Sequence, residues 1–294
     1  MVHCKIMVGF LLTNMKGKIM RILFCSAAAI MLSGCSWIAN THSHGHYNGH
    51  NTQSGMHQGG SSYTTPRLRK PSKLSFTGSL GTDMVVGGHA ITGNDGVFNA
   101  ATRVHHVSMQ DAYKLGWRAD LGGAYQIGKK NEILLNGFYQ QASGKDRTIG
   151  RDVSGMPLEA RLSNYKAFGV ETGLRHNVGA TKIPLLKTIK PYVEARIGLA
   201  KLSDIDLLDV RVAGVASSAN YAYYKGGWVP TVSGMVGFEK PVSKHMSVGL
   251  ETGLRYIGSV SSDDTDVTGS FLEGTNGGSS RWSVPLQIRG RYKF

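Results

Sequence analysis

From Leu74 to the end of the chain, apolar and polar residues alternate with a period of two, the pattern of strands whose two faces meet different surroundings. Eight segments carry it. The first sets Leu74, Phe76, Leu80, Met84 and Val86 against Ser75, Thr77, Ser79 and Asp83, and the second sets Leu115, Trp117, Leu121 and Tyr125 against Arg118 and Asp120. Ile133, Leu135 and Tyr139 mark a less regular third. The fourth places Phe168, Val170 and Leu174 opposite Glu171 and Arg175, and the fifth places Val193, Ile197 and Leu199 opposite Glu194 and Arg196. Trp228, Val232, Val236 and Phe238 face away from Thr231, Ser233 and Glu239 in the sixth. The seventh opposes Val248, Leu250, Leu254 and Tyr256 to Glu251 and Arg255; the eighth opposes Trp282, Val284, Leu286, Ile288, Tyr292 and Phe294 to Ser283, Gln287, Arg289 and Arg291.

The connections between segments alternate in length. Gly87–Asp111, Gly144–Ser163, Ser203–Tyr221 and Ser261–Ser280 are long; Gly128–Asn131 and Lys240–Lys244 are short, and Val178–Ile189 is long for a turn. An even number of strands, each near the roughly 9–11 residues that a tilted strand needs to cross a bilayer, with long loops at one end and short turns at the other, predicts an all-β fold. The expectation is an eight-stranded antiparallel transmembrane β-barrel over 74–294, with both termini at the short-turn, periplasmic end. Alternation by itself does not say which face points inward, because a soluble sandwich buries its apolar face and a membrane barrel turns it toward lipid. Closure favours the membrane, since it leaves no strand edge unpaired in lipid. Aromatic residues near strand ends, among them Trp117, Tyr125, Trp228, Phe238 and Trp282, point the same way.

The N-terminal part reads differently. From Met15 a basic start (Lys16, Lys18, Arg21) precedes an apolar run, Ile22–Leu32, and then small residues, the plan of a secretory signal peptide over 1–34 with 1–14 as an upstream extension. The run falls well short of the ~20 residues of a spanning helix. Leu32-Ser33-Gly34-Cys35 resembles the lipobox of bacterial lipoproteins, which implies acylation of Cys35, and Ser36 after it implies sorting to the outer membrane. Residues 35–73 form a His-, Gly- and Ser-rich linker with too little apolar surface for a core. Its His42, His44, His46, His50 and His57 are candidate ligands for a divalent transition metal such as Zn²⁺, Cu²⁺ or Ni²⁺, although no fixed ligand spacing such as HExxH is present, and a solvated spacer is the other reading.

Composition agrees with many short strands: 41% hydrophobic, 18% charged and 39 Gly in 294 residues, with a mean hydropathy of −0.16, exclude both bulk disorder and a polytopic helical membrane protein. All three cysteines lie within the first 35 residues, so no disulfide or Cys metal site serves the rest. A formal charge of +14 suggests nucleic acid, anionic lipid or polysaccharide as partners. Export sets nucleic acid aside, and lipopolysaccharide phosphates replace it.

The ending WSVPLQIRGRYKF, with terminal Phe294, Tyr292 two before it, and Ile288, Leu286 and Val284 in the same phase, resembles the final-strand signature of bacterial outer-membrane barrels; Gly290 departs from it. The resemblance implies recognition by the barrel-assembly machinery. Residues 74–294 as a whole resemble small eight-stranded barrels of the OmpA-like and OmpX-like type.

A partial repeat, G-x-E-T-G-L-R at 169–175 and 249–255, puts Glu and Arg four apart on the polar face of two strands. An eight-stranded barrel is just wide enough to be filled by side chains. Arg118, Asp120, Glu171, Arg175, Glu194, Arg196, Glu251 and Arg255 are therefore expected to form a lumen ion-pair network, with Glu171, Arg175, Glu251 and Arg255 as mutual partners. The function expected is non-enzymatic: a surface barrel displaying long loops to an extracellular ligand, for adhesion or for envelope stability. Three alternatives remain. One is a small gated pore. The second is a lipid-modifying barrel enzyme, for which His105, His106 and Ser108 are the candidates on the loop side, His176 and His245 falling at the periplasmic end. The third is a metal-binding lipoprotein acting through the linker. GxSxG, Walker A and CxxC are absent.

Overall fold

A computed structural model describes residues 72–93, 102–179, 188–212, 215 and 218–294. The segment read as a signal peptide, Cys35 and the five histidines of the expected linker lie outside the described residues. Eight long strands build the wall: β1 (Leu74–Thr92), β4 (Gly116–Gln126), β5 (Asn131–Ala142), β8 (Tyr165–Asn177), β9 (Lys190–Leu202), β12 (Trp228–Pro241), β13 (Met246–Ile257) and β15 (Arg281–Lys293). Each matches one of the eight alternating segments, Leu115 and Phe294 falling one residue outside β4 and β15. They pair antiparallel in the order β15-β13-β12-β9-β8-β5-β4-β1, and β1 pairs back onto β15 from Ser75↔Lys293 to Gly88↔Arg281, which closes the barrel. β1 runs six residues past its expected end at Val86. A bulge between Val85 and Gly87 redirects it, and Gly88 at φ +112° takes a backbone conformation that a side chain would strain.

The two faces are inverted relative to a soluble protein. Leu80, Leu121, Leu135, Ile197 and Ile288 are 60–63% exposed on the outer wall, while Arg118, Arg255 and Gln287, with the opposite phase, are fully buried inside. Each outer Leu or Ile gains roughly 1.5–3 kcal/mol on leaving water, so a continuous apolar belt around the wall is stable only against lipid. Aromatic pairs rim the belt on both sides. Trp117 with Tyr139, Phe168 with Trp228, and Tyr256 with Trp282 mark the loop side; Tyr292 with Phe294 marks the other. The barrel is thus a transmembrane one.

Both ends of the described barrel chain lie at the short-turn end, where the Ser72 N–H donates to the Phe294 carbonyl. At the opposite end the long connections are not irregular loops. They hold β2 (Arg103–Val104), β3 (His106–Ser108), α1 (Met109–Ala112), β6 (Asp146–Arg151), β7 (Pro157–Leu162), β10 (Ile205–Val212), β11 (Ala219–Lys225) and β14 (Ser261–Ser262). Six of these pair as a second sheet in the order β14-β11-β10-β7-β6-β2. Its inward side chains, among them Leu158, Ala160, Leu162, Ile205, Leu207 and Val210, form one apolar cluster with Val85, Ala142, Tyr165, Leu202 and Ile257 at the barrel's upper end. The cause is visible in β7, where buried Leu158, Ala160 and Leu162 alternate with half-buried Glu159 and Arg161, a strand pattern with ordinary polarity, apolar side inward. The molecule therefore has two cores, ionic within the membrane belt and apolar in the cap above it.

Candidate functional site

Strand alternation places every second residue of the wall in the lumen, and the inward set is dominated by charge. Among the described residues seven carboxylates (Asp83, Asp120, Glu132, Glu171, Glu194, Glu239, Glu251) and seven guanidiniums (Arg118, Arg175, Arg196, Arg255, Arg281, Arg289, Arg291) are buried there. The lumen is electrically balanced, so the chain's excess of positive charge lies elsewhere. All its cations are arginines, whose planar forks hold two carboxylate oxygens at once and stack on aromatic rings.

The pairs form a ladder along the barrel. Nearest the short turns Arg291 grips Glu132 with both terminal nitrogens, at 2.9 and 2.8 Å, and lies 3.3 Å from Glu239. Arg175 bonds Glu239 and lies 2.7 Å from Glu194, stacked over the Tyr192 ring. Arg196 bonds Glu194 and reaches Glu251 at 3.1 Å; Arg289 meets Glu251 at 2.9 Å, and the Tyr192 hydroxyl donates to it at 2.8 Å. In the next layer Arg118 holds Asp120 at 2.7 Å and Glu171 at 2.8 Å while covering the Phe138 ring. Asp83 closes the ladder on the cap side, bound by Arg281 at 2.9 Å, Arg255 at 3.2 Å, Ser283 and Gln140. Arg281 stacks on Tyr165, which meets Tyr113 edge-on, and there the apolar cap begins.

Close strand approach makes room for these long side chains. A Cβ on inward-facing Gly198 would lie 2.1 Å from the Val170 carbonyl and 2.8 Å from Glu171 Cγ. Glycine at that point lets β8 and β9 pair while Glu171 turns to Arg118.

All eight of the lumen residues chosen from sequence are buried in the barrel, but the partnership within the repeat differs from the expectation. Glu171 and Arg175 do not pair, nor do Glu251 and Arg255. Four residues along a strand span roughly 13 Å, beyond the reach of a direct ion pair in this packed lumen, so each charge turns to a neighbouring or facing strand. Asp83, Glu132, Glu239, Arg281, Arg289 and Arg291 are buried in the lumen as well, beyond the eight residues expected there. Asp83, Glu239, Arg289 and Arg291 sit in the polar phase of their own strands, and that phase is the signal that finds them.

The remaining candidates fall outside the lumen. Tyr292 and Phe294 are exposed on the wall at the turn end. Ser108 caps α1: its hydroxyl accepts from the Asp111 N–H and donates to the Asp111 carboxylate at 2.7 Å, so it is not turned to a histidine. His106 instead contacts His89 across the β1–β3 pair. His176 bonds Asn131, and His245 bonds the Lys293 carbonyl at the turn end. A cavity of about 550 Å³ opens at the loop-side rim, lined by Lys114, Arg161, Lys166, Ser163 and Asp204.

No protein-family model matches the chain, and no curated protein matches it. Solved structures do. Neisserial surface protein A is similar over 77% of this chain and 100% of its own, at 14% identity and a TM-score of 0.41. Ail, the attachment invasion locus protein of Yersinia pestis, solved with the heparin analogue sucrose octasulfate, is similar over 76% of this chain and 99% of its own, at 9% identity and a TM-score of 0.33. The N-terminal β-barrel domain of Pseudomonas aeruginosa OprF covers 76% of this chain and 100% of its own, at 10% identity and a TM-score of 0.29. By its closed eight-strand register and inverted faces, the chain has the architecture of a small outer-membrane β-barrel.

Proposed function

We propose that this protein is a non-enzymatic barrel of the bacterial outer membrane. In this reading its ion-paired lumen is structural and its folded cap is the binding face, both termini being periplasmic. The observation that carries it is the lumen: seven carboxylates and seven guanidiniums are buried against one another beneath an apolar cap, an arrangement suited to holding a wall closed. A conducting channel needs water along its axis, whereas here Arg281 lies over the Tyr165 ring and Tyr165 meets buried Tyr113 edge-on at the upper end of the lumen. The cap offers an ordered surface outside the membrane, rigid enough to present side chains to an extracellular ligand at low entropic cost. The hairpin tip at Asp152–Met156 illustrates this. The Asp152 carboxylate accepts from the Ser154 and Met156 N–H groups, Arg151 donates to the Gly155 carbonyl, and Val153 is left 73% exposed.

Under the same proposal Tyr292 and Phe294 present the assembly signal, outer-leaflet lipopolysaccharide surrounds the loop-side rim, and acylated Cys35 tethers the linker. The deciding experiment is fractionation with gel mobility. The protein should sediment with the outer membrane and migrate faster unboiled than boiled, and the Cys35→Ser variant should keep that behaviour while losing its N-terminal lipid by mass spectrometry. Recovery as a soluble periplasmic protein would overturn the proposal. Planar-bilayer recording should give no steady conductance; sustained single-channel steps would replace the closed lumen with a pore.

A further inference from the structure

Charge is distributed unevenly along the barrel axis, and the lumen does not account for the excess. At the cap end the described acidic and basic residues nearly balance: Asp204, Asp206, Asp263 and Asp266 offset bases such as Lys114 and Arg147. The short-turn end is different. Lys73 precedes β1, Lys129 and Lys130 form the β4–β5 turn, Lys190 opens β9, Lys240 and Lys244 flank the β12–β13 turn, and Lys293 ends β15; all seven are exposed. The carboxylates at that level, Glu132 and Glu239, point into the lumen and are taken by Arg291 and Arg175. None of the seven amines enters an ion pair among the described residues.

We infer that this lysine ring binds the anionic phospholipid headgroups of the leaflet around the turn end of the barrel. The inference rests on the transmembrane reading above. Three observations select lipid over a docked protein. Lys129 and Lys130 of the β4–β5 turn lie across the closed wall from Lys240 and Lys244 at the β12–β13 turn, and a leaflet surrounds a barrel whereas a protein partner covers one side. The turn lysines follow directly on the apolar belt: Tyr125 and Ile127 precede Lys129, and Phe238 precedes Lys240, each of those apolar residues being exposed, whereas Lys190 and Lys293, paired with inward-facing Glu239 and Ser75, stand at the mouth of the lumen. The aliphatic stems of Lys129, Lys130, Lys240 and Lys244 can therefore lie along the belt while the amines reach headgroup phosphates. All seven are lysines, mobile point charges suited to a fluid array of phosphates, in contrast to the fixed arginine forks of the lumen.

The test compares spin-labelled phosphatidylglycerol and phosphatidylcholine as boundary lipids of the refolded full chain in phosphatidylcholine vesicles. A lysine at an anionic surface is worth ~1 kcal/mol, about fivefold for each headgroup contacted, so the wild type should prefer phosphatidylglycerol severalfold. The preference should fall steeply at 0.5 M salt, roughly where the Debye length shrinks below 5 Å. Gln at Lys129, Lys130, Lys240 and Lys244 together should remove most of it, and Gln at Lys114, Lys166 and Lys201 on the loop side should not. Equal association of both lipids with the wild type overturns the inference, as does loss of the preference in the loop-side variant alone. The wild-type salt titration decides the matter even where the fourfold variant fails to fold. Gel mobility in the same samples separates the two claims: a barrel that is heat-modifiable but indifferent to lipid charge refutes the lysine ring only, while absence of heat-modifiable barrel refutes the transmembrane reading itself.

Discussion

Replacing Arg118 by Met tests the ionic lumen most directly. Arg118 is fully buried, holds Asp120 at 2.7 Å and Glu171 at 2.8 Å, and stacks on Phe138 at 3.6 Å. Met preserves much of the side-chain volume and removes the charge, which leaves Asp120 and Glu171 in a medium of low dielectric with Arg196, 3.8 Å from each, as their remaining guanidinium neighbour. Breaking a buried pair from one side costs about 3–5 kcal/mol. Here the cost falls toward about 3 kcal/mol, because charge-assisted hydrogen bonds worth roughly 1.5–3 kcal/mol each remain: Asp120 keeps Gln287 at 2.9 Å and Ser79 at 3.1 Å, and Glu171 keeps Thr231 at 3.2 Å. Arg255 is the internal control. Its one ion pair among the described residues is with Asp83 at 3.2 Å, and Asp83 still has Arg281, Ser283 and Gln140, so Arg255→Met should cost only about 1 kcal/mol. Removing Glu171 together with Arg118, as Arg118→Met/Glu171→Gln, should recover part of the loss, with a coupling of roughly 1–3 kcal/mol. Reversible urea unfolding in lipid vesicles, followed by fluorescence of Trp117, Trp228 and Trp282, measures all three. An Arg118→Met variant within 0.5 kcal/mol of wild type, or one less destabilised than Arg255→Met, would refute the assignment of a sealed, paired lumen.

Four further outcomes follow from the same structure. Glu171→Gln and Arg175→Met should be nearly additive, whereas Arg175→Met and Glu194→Gln, whose side chains are 2.7 Å apart, should show a coupling above about 1 kcal/mol in the same unfolding assay. Leu158→Ala in the cap should cost roughly 2–5 kcal/mol locally, seen as faster proteolysis of the loop hairpins while gel mobility of the barrel is unchanged. Burial, together with Asp204, Asp263 and Asp266 nearby, raises the Asp206 carboxyl above its ordinary value, so its contribution to cap stability is fully present below the unfolded pKa and is lost as pH rises through the folded one. Asp206→Asn should accordingly slow cap proteolysis at pH 7 relative to wild type and leave it unchanged near pH 3; equal rates at pH 7 would refute the repulsion. Deleting Phe294 should lower the yield of membrane-inserted barrel far more than deleting residues 41–57, as judged by heat-modifiable protein in the outer-membrane fraction.

Period-two alternation was sufficient to place all eight wall strands, since a side chain's face in a strand depends only on its position in the local sequence. It also singled out Glu171, Arg175, Glu251 and Arg255 as members of one polar face. What alternation leaves open is the sign of that face, because lipid outside and water outside write the same pattern; the closed barrel decides it by burying Arg118, Arg255 and Gln287 and leaving Leu80, Leu121 and Ile288 exposed. Pairing was equally beyond the sequence. The bond from Arg118 to Glu171 joins residues 53 apart and the one from Arg281 to Asp83 joins residues 198 apart, distances along the chain that only strand order and register bring together. The cap lies between these cases. Leu158, Ala160 and Leu162 carry a strand period, yet the long connections around them are rich in Gly, Ser and Asp, and a short hairpin has no core of its own. Only stacked side by side, above the lumen and against their neighbours, do these hairpins bury enough apolar surface to fold, and that juxtaposition is a property of the closed barrel rather than of any one segment.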